Sequence, residues 1–300
     1  MKKNKRVLVT GASGFIGNNL VCELQKRGLE CLALDNTPYN KGNCASVQAS
    51  LLDISAIKAV LIEFRPNIII HLAAIALVTF ENVSEIYRVN VCGTENLLKA
   101  AKEVTAGARV ILISTAGVYG NQDKQYYDET LPFNPENHYS FSKMITEYIS
   151  QQYEELDIKI VRPFNIIGVG QRNTFLIPKL VEHFAEKREE LRIGNLKATR
   201  DYVDVEYCAY ILAELATRDD VNYNVYNICS GVGHSVQDII TILGQYSKFY
   251  PRVIVDPQFV RKNEVWRLVG NPKRLLEFLN GRKCREFEDT LKQMYNYYSR

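Results

Sequence analysis

The chain has 300 residues, of which 46% are hydrophobic and 24% charged, enough to bury a large core in one domain or two closely joined ones. Its net charge of +3 is small, and no block of about five like charges occurs, which argues against nucleic-acid and membrane-surface partners. No apolar window of about 18 residues occurs, and the basic start at residues 2–6 lacks the apolar run of a signal peptide. The seven cysteines are odd in number without a C-x-x-C pair, so we expect reduced thiols in a cytoplasmic protein, with neither a disulfide framework nor a metal site.

Residues 7–20 read VLVTGASGFIGNNL, which predicts a strand, a glycine loop and the start of an amphipathic helix. Gly11 lets the chain turn out of the strand, Gly14 allows close approach of a pyrophosphate, and Gly17 lets the helix lie against the sheet. The helix N-terminus then offers N–H groups to phosphates. The G-x-x-G-x-x-G spacing is one residue longer at the front than the common dinucleotide fingerprint. Directly after a strand, it predicts a dinucleotide site.

A second short strand is predicted at residues 30–34, closed by Asp35. A carboxylate about 20 residues beyond the glycines can accept hydrogen bonds from both adenosine-ribose hydroxyls and repels a 2′-phosphate. The next residue is Asn36 rather than an arginine, so NAD(H) is favoured and NADP(H) stays open. The alternative is that Asp35 only caps a loop. A third short strand is predicted at 51–53, with Asp53 able to reach an adenine amino group.

Buried strands alternate with helices further along the chain. The apolar run at residues 68–74 predicts a strand covered on both faces, and its small residues at the end leave room for a cofactor. His71 in this run is more typical of a packed core residue than of a catalytic base. A helix at 83–104, interrupted near 90–93, precedes another buried strand at 109–114. The alternation predicts an α/β fold, a doubly wound parallel sheet (Rossmann) that binds ligands at the carboxyl ends of its strands.

Tyr139 and Lys143 lie four residues apart in a predicted helix, so both side chains project from one face. A free tyrosine has a pKa of about 10, and a nearby lysine cation or an oxidised nicotinamide favours the phenolate. The pair is therefore suited to acid–base work at a carbonyl or hydroxyl. Because Y-x-x-x-K is common, the alternative is a helix surface with a packed ring.

Two further residues strengthen the functional interpretation. Thr115, at a strand end in STAGVYG, can hydrogen-bond the same substrate oxygen that Tyr139 protonates, the alternative being an ordinary β-branched strand residue. Asn90, at the helix interruption, can position Lys143 directly or through water.

These motifs, together with the RPFN sequence at 162–165, resemble those of an extended short-chain dehydrogenase/reductase of the NAD-dependent epimerase/dehydratase family, which acts on nucleotide sugars. The resemblance spans essentially the whole chain. It implies that Tyr139 is the general acid/base, that Thr115 is its partner on the substrate oxygen, and that Lys143 binds the nicotinamide ribose and lowers the tyrosine pKa. The residues assigned to the cofactor are Gly11, Ser13, Gly14, Phe15, Ile16, Gly17, Asp35, Asn36, Asp53, Ile54, Leu72, Ala73, Ala74, Asn90, Tyr139 and Lys143.

The resemblance also assigns residues that bind the substrate pyrophosphate. Asn165 follows the Arg-Pro-Phe strand and Arg200 begins RDYVDV, and a guanidinium suits bidentate phosphate binding. Arg261, in VRKNEVWR, resembles the last phosphate-binding arginine, although Lys262 stands where the pattern has proline or alanine. A plain surface charge is the alternative for each arginine.

The same resemblance divides the chain into two lobes. Residues 1–168 and about 200–232 are expected to form the Rossmann domain, and residues about 169–199 and 233–300 a smaller C-terminal substrate-binding lobe for the nucleotide sugar. We also expect a homodimer, because helices 91–104 and 139–153 carry more apolar surface than one sheet face needs and the family pairs these helices across a two-fold axis.

Within the family, the sequences at 194–196 and 225–231 look most like those of GDP-4-keto-6-deoxymannose reductases. We therefore predict NAD(P)-dependent reduction of the C4 ketone of a nucleotide-diphosphate 4-keto-6-deoxy sugar, in deoxysugar synthesis for a surface glycan. The Asp35-Asn36 pair looks more like that of the 4-epimerases, which are the alternative. A non-catalytic NAD-binding regulator is a remote alternative, since such proteins tend to lose the tyrosine or the lysine.

Overall fold

The computed structural model describes residues 5–39, 44–78, 80–260 and 265–299. Its strands are β1 (Arg6–Thr10), β2 (Glu30–Asp35), β3 (Ala45–Gln48), β4 (Ile68–His71), β5 (Arg109–Ile113), β6 (Asp157–Pro163), β7 (Asn165–Ile167), β8 (Glu190–Ile193), β9 (Thr199–Asp204), β10 (Val225–Ile228), β11 (Gly233–Ser235), β12 (Arg252–Val255) and β13 (Arg267–Leu268). Its α-helices are α1 (Phe15–Lys26), α2 (Ile54–Phe64), α3 (Val83–Tyr87), α4 (Gly93–Val104), α5 (His138–Ser150), α6 (Leu176–Ala185), α7 (Val205–Thr217), α8 (Val236–Ser247), α9 (Lys273–Phe278) and α10 (Phe287–Tyr298).

The chain forms two compact units. The first comprises residues 1–119, 132–163 and 208–226, and the second comprises residues 120–131, 164–207 and 227–300. The assignment of a cofactor to one and of the substrate nucleotide to the other stays a proposal.

A seven-stranded parallel sheet is the centre of the first unit, in the order β10-β6-β5-β4-β1-β2-β3. The chain winds outward from β1 in both directions, so the predicted doubly wound α/β fold is confirmed. On one face, apolar residues of α2 and α4 pack against β1, β2, β4 and β5, as Leu61 and Leu97 do against Leu8 and Ile69. The carboxyl ends of β1, β2, β4 and β5 carry most of the residues that the sequence singles out.

Some element boundaries differ from the prediction. Residues 51–52 form a turn rather than a third strand, because the Asp53 side chain accepts a hydrogen bond from the Ala56 N–H and caps α2; the third strand is β3 instead. The first helix begins at Phe15, directly after the glycine loop. The long helix at 83–104 is divided by a π-helical turn, Arg88–Cys92, which contains Asn90.

The second unit contains small sheets rather than one large sheet. The strand β9 pairs in parallel with β7 and β13 and antiparallel with β11, while β8 pairs in parallel with β12. Its core gathers apolar residues of α6, α8 and α10, among them Phe184, Leu243 and Leu291. Across both units, none of the helices that the structure describes is long and apolar enough to cross a bilayer.

Candidate active site

The glycine loop between β1 and α1 is closed by contacts that only glycine permits. Gly11 has a φ of +69°, and a Cβ there would lie 2.6 Å from the Ala73 backbone nitrogen. A Cβ on Gly17 would lie 2.3 Å from the Gly11 carbonyl oxygen. Gly14 is the N-cap of α1 and supplies no side-chain cap, so the first turn keeps N–H groups for another acceptor. Ser13, Phe15 and Ile16 lie in or directly after this loop.

Asp35 is buried at the end of β2 and is tied to the glycine loop. Its Oδ2 accepts a hydrogen bond from the Ser13 N–H at 2.9 Å, and its Oδ1 accepts one from the Asn36 N–H at 2.9 Å. A carboxylate has about four acceptor positions, so capacity for a ribose hydroxyl remains. The structure therefore gives Asp35 a loop-organising contact without excluding its predicted role.

The remaining residues assigned to the cofactor lie at the same strand ends. Leu72 and Ala73 follow β4 directly, and their N–H groups bond the Thr10 carbonyl and the Thr10 hydroxyl at 3.1 Å and 3.4 Å. Ala74 comes next in the chain. Asp53 is the N-cap of α2 and Ile54 its first residue, so Asp53 has a structural role whether or not it contacts adenine.

His71 and Asn90 belong to one buried hydrogen-bond chain. The Thr10 hydroxyl donates to His71 Nδ1 at 2.7 Å, and His71 Nε2 donates to the Thr94 hydroxyl at 2.9 Å, which in turn donates to the Asn90 carbonyl. Burial lowers the pKa of His71 to about 3, so the ring is neutral and packed. Its position fits the core interpretation rather than that of a catalytic base.

The Asn90 side chain connects the loop after β4 to α5. It accepts a hydrogen bond from the Ile75 N–H at 2.8 Å and donates to the Ser142 hydroxyl at 3.0 Å. Ser142 in turn donates to the Tyr139 carbonyl at 2.7 Å. Asn90 is thus linked through Ser142 to the backbone of α5 at Tyr139, and its predicted role of positioning Lys143, directly or through water, stays a prediction.

Thr115 and Tyr139 are brought together by a hydrogen bond between their hydroxyls. Thr115 Oγ1 also accepts from the Gly117 N–H at 3.1 Å, which holds the hydroxyl in place beside the tyrosine oxygen. Burial raises the pKa of Tyr139 to about 12, and the Thr115 hydrogen bond lowers it in part. With the protein's own groups alone, Tyr139 is a protonated acid at neutral pH, which differs from the lowered pKa expected from Lys143.

Lys143 is buried one helical turn beyond Tyr139. Its ammonium donates to the Ile113 carbonyl oxygen at 2.8 Å. Burial lowers the pKa of Lys143 to about 8, and the carboxylate of Glu147 acts in the opposite direction. The lysine is therefore close to its titration point near neutral pH.

A buried ion pair that the sequence did not reveal lies beside these residues. Glu147 accepts hydrogen bonds from Arg162 at both oxygens, from Nη2 to Oε2 at 2.7 Å and from Nε to Oε1 at 3.1 Å, and a further one from the Ser114 hydroxyl. Arg162 Nη1 donates to the Tyr119 hydroxyl at 3.0 Å. The available signal was the spacing of four, because Tyr139, Lys143 and Glu147 follow one another on a single helix face.

In the second unit, Asn165 and Arg200 lie on the neighbouring strands β7 and β9. Asn165 Nδ2 donates to the Asp201 carbonyl at 3.0 Å, and Arg200 Nη1 donates to the Thr199 carbonyl at 3.0 Å. Arg261, the third residue assigned to the pyrophosphate, lies outside the described residues.

Asp201, next to Arg200, is fully buried and was not singled out by the sequence. Its Oδ1 accepts from the Ser230 N–H and hydroxyl at 2.9 Å and 2.6 Å. Its Oδ2 accepts from the N–H groups of Gly231 and Gly270 at 2.9 Å and 3.2 Å. One carboxylate thereby joins two segments, at 230–231 and at 270, to the strand that carries Arg200.

Comparison with known proteins places this fold and these residues in a family. The model of the NAD dependent epimerase/dehydratase family matches residues 7–229, and the chain belongs to this family of nucleotide-sugar-modifying enzymes. It is 36% identical over 294 residues to the GDP-6-deoxy-D-talose 4-dehydrogenase of Aggregatibacter actinomycetemcomitans, covering 97% of each chain.

Two further similarities extend this comparison. The chain is 28% identical to the GDP-6-deoxy-D-mannose reductase of Pseudomonas aeruginosa, with 90% of each covered. The crystal structure of Thermus thermophilus UDP-glucose 4-epimerase in complex with NAD superposes with a TM-score of 0.87 at 27% identity, with 98% of each chain covered. Reductase, dehydrogenase and epimerase activities thus occur among the proteins that this chain resembles.

The loop around Gly11 and Gly17 fits the dinucleotide that the family name implies. The tight backbone contacts leave no room for side chains at these glycines, and the uncapped first turn of α1 is suited to a phosphate. Asp35 offers an acceptor at the neighbouring strand end. These residues are the ones that would hold the cofactor.

Proposed function

We propose that the protein reduces the C4 ketone of a GDP-linked 4-keto-6-deoxyhexose, with NAD(H) favoured and NADP(H) as the alternative cofactor. The observation that carries this proposal is the likeness, over 97% of the chain, to a GDP-6-deoxyhexose 4-dehydrogenase. A 4-dehydrogenase oxidises a C4 hydroxyl, which is the reverse of the proposed reduction. The likeness to a GDP-6-deoxy-D-mannose reductase supports the same base and sugar class.

The nicotinamide, when bound, supplies the hydride for this reduction. The chain's part is to deliver a proton to the oxygen of the ketone as it becomes an alcohol. Tyr139 is suited to this part, because its pKa of about 12 keeps it protonated at neutral pH. Thr115, whose hydroxyl lies within hydrogen-bond distance of the tyrosine oxygen, can turn its single proton to the same substrate oxygen and so orient and stabilise it.

Lys143 has two roles in the proposal. Its ammonium binds the nicotinamide ribose, and its charge favours the phenolate that remains after Tyr139 has given up its proton. The ammonium bonds a backbone carbonyl and not a carboxylate, so its remaining donors can turn to a ribose hydroxyl. The glycine loop and Asp35 hold the pyrophosphate and the adenosine ribose, while Asn165, Arg200 and Arg261 bind the substrate pyrophosphate.

The test is an assay of the purified protein with GDP-4-keto-6-deoxymannose and either NADH or NADPH. We expect loss of the reduced-nicotinamide absorbance and formation of a GDP-6-deoxyhexose, with faster turnover for NADH because Asp35 repels a 2′-phosphate. If no nucleotide-linked 4-keto-6-deoxy sugar oxidises either cofactor, the proposed function is wrong.

A nucleotide-sugar 4-epimerase is the second candidate, favoured by the likeness to a UDP-glucose 4-epimerase with bound NAD. Tyr139 would then begin as a base, and the phenolate would have to form first. NAD that survives purification, with interconversion of two nucleotide hexoses and no net cofactor oxidation, would identify this activity.

We also propose a cytoplasmic homodimer in which α5 packs against its copy. Phe141 and Tyr148 lie seven residues apart on this helix and are 40% and 54% exposed, with the partly exposed Met144 and Ile145 between them. Light scattering at micromolar concentration should give twice the mass of the chain. A monomer under these conditions would contradict the proposal.

A further inference from the structure

The buried pair of Glu147 and Arg162 lies beside the candidate catalytic residues, and the function proposed above leaves it unused. Both side chains are less than 6% exposed. A buried ion pair contributes little net stability, because the loss of hydration offsets the attraction between the charges. Stability alone therefore does not explain why this ion pair is buried next to Lys143, and we look for a role in the chemistry of the site.

Three contacts join α5 to the end of β5 and the residues that follow it. Thr115 bonds the Tyr139 hydroxyl, the Ile113 carbonyl accepts from the Lys143 ammonium, and the Ser114 hydroxyl donates to Glu147. Three consecutive positions of the chain thus bind three side chains spaced four apart on one helix. A shift of the helix along its axis would break all three contacts together.

Glu147 itself is held in a fixed position. Arg162 contacts both of its oxygens, and the guanidinium lies 5.0 Å from the Tyr119 ring and 4.9 Å from the Phe133 ring. The carboxylate is therefore committed to Arg162 and Ser114. It acts on Lys143, one helical turn away, through its charge.

We propose that Glu147, clamped by Arg162 and Ser114, is a positioning residue that keeps Lys143 cationic inside the protein and fixes it in line with Tyr139 and Thr115. The inference rests on the proposed function for its meaning in catalysis. The effect of the Glu147 charge on the protonation of Lys143 involves only groups of the protein, so it can be measured without substrate or cofactor.

The other groups around Lys143 do not replace this effect. On its own helix, Tyr139 is neutral at neutral pH, and on β4, His71 is neutral with a pKa of about 3. Arg162 on β6 carries a positive charge, which opposes a second cation nearby. From β5 the ammonium is met by the uncharged Ile113 carbonyl. Among the residues that the structure describes, Glu147 is thus the anion that offsets the burial of Lys143.

The first measurement is the titration of Lys143 by NMR, in protein labelled with ¹³C at the ε-carbon of lysine. The resonance that is missing from Lys143→Met identifies the residue. In the parent protein the midpoint should lie near pH 8. In Glu147→Gln, which keeps the shape but removes the charge, the midpoint should fall by about one unit or more, a tenfold loss of proton affinity.

The matched control is Glu103→Gln, which removes an exposed carboxylate paired with Lys58 on the surface and should leave the midpoint unchanged. An unchanged midpoint in Glu147→Gln would overturn the proposal. If Glu147→Gln does not fold because Arg162 is left unpaired, the double variant Glu147→Gln/Arg162→Met removes both charges. In this double variant the midpoint of Lys143 should still lie at a lower pH than in the parent protein. A Lys143 midpoint equal to that of the parent would also overturn the proposal.

The second measurement is the pH profile of the reductase reaction. The alkaline limb of kcat should move to lower pH in Glu147→Gln by the same amount as the Lys143 midpoint, whereas Ser114→Ala, which keeps the charge, should retain the parent limb. A uniform loss of kcat at every pH would indicate a structural role alone and contradict the proposal. If the parent protein reduces no 4-keto sugar, the proposed function fails while the NMR result on Lys143 still stands.

Discussion

A buried carboxylate organises its surroundings in each compact unit, Glu147 in the first and Asp201 in the second, but the two do so by different means. Glu147 in the first unit faces a guanidinium and a hydroxyl, and the buried Lys143 lies one turn away. Asp201 in the second unit accepts three backbone N–H groups and one hydroxyl. The negative charge of Glu147 therefore acts on other charges, while that of Asp201 fixes the course of the backbone beside Arg200.

The difference leads to different expectations for substitutions. Around Glu147, changes should act on proton transfer, and hence on kcat and on pH dependence. Around Asp201, changes should act on folding stability and on the binding of substrate.

The largest effect is expected for Tyr139→Phe, which removes the proton donor but leaves the ring in place. We expect kcat to fall by about 10²–10⁴-fold, the usual range for loss of a general acid. Dinucleotide affinity, measured by fluorescence titration, should be retained. Tyr297→Phe, an exposed tyrosine of α10, is the matched control and should keep full activity. Retention of activity in Tyr139→Phe would show that another group supplies the proton.

Lys143 should make the stability of the protein depend on pH. Burial lowers its pKa from 10.5 to about 8, so its charged form is disfavoured in the folded state. Below pH 8 Lys143 is charged in both the folded and the unfolded chain, so burial of the ammonium has its full destabilising effect. Between pH 8 and 10.5 the unfolded chain holds more protons than the folded chain, so the contribution of Lys143 to stability rises with pH. The total gain is about 3 kcal/mol.

Urea unfolding at several pH values measures this effect. The difference in free energy of unfolding between the parent protein and Lys143→Met should shift in favour of the parent from pH 8 upwards. Lys58→Met, which removes a half-buried surface lysine, should show no such change. A difference in free energy of unfolding that stays constant between pH 8 and 10.5 would mean that burial does not lower the pKa of Lys143.

Asp201→Asn tests the carboxylate of the second unit. An amide can accept at one atom, but its NH₂ group would then face N–H donors such as those of Gly231 and Gly270. We expect a loss of about 2 kcal/mol in the free energy of unfolding, because a buried donor without an acceptor is costly. Asp219→Asn, at a surface position, is the control. Equal stability of the two variants would show that the segments around Asp201 hold together without its charge.

The sequence predicted the features that depend on local pattern. Strand periodicity and the glycine spacing gave the doubly wound sheet, since Gly11 and Gly17 are required by close backbone contacts. The pairing of Thr115 with Tyr139 followed from a strand end and a helix spacing. The strand β3 was misplaced because Asp53 was interpreted as a strand end, although its side chain caps a helix.

What the sequence did not predict depends on contacts between distant segments. Glu147 and Arg162 are 15 residues apart, and Asp201 meets Gly270 across 69 residues. A buried carboxylate in a helix or strand looks like any other charged residue until its partners are known. The pKa of Tyr139 is raised, whereas the sequence predicted a lowered one. The reason is the same, because the pKa depends on burial, which the spacing of Tyr139 and Lys143 does not reveal.

The smallest effect is expected for Arg200→Lys, which keeps the charge but removes the planar fork. A lysine makes a single-point contact with a phosphate where arginine can bind two oxygens. We expect KM for the GDP-sugar to rise by about tenfold while kcat changes little, since a charged hydrogen bond contributes about 1.5–3 kcal/mol and only part of it is lost. Arg192→Lys, an exposed arginine of β8 paired with Glu190, is the matched control. A fall in kcat at unchanged KM would place Arg200 with the groups that act on the chemistry, and the division of roles between the two buried carboxylates would then no longer separate the two units.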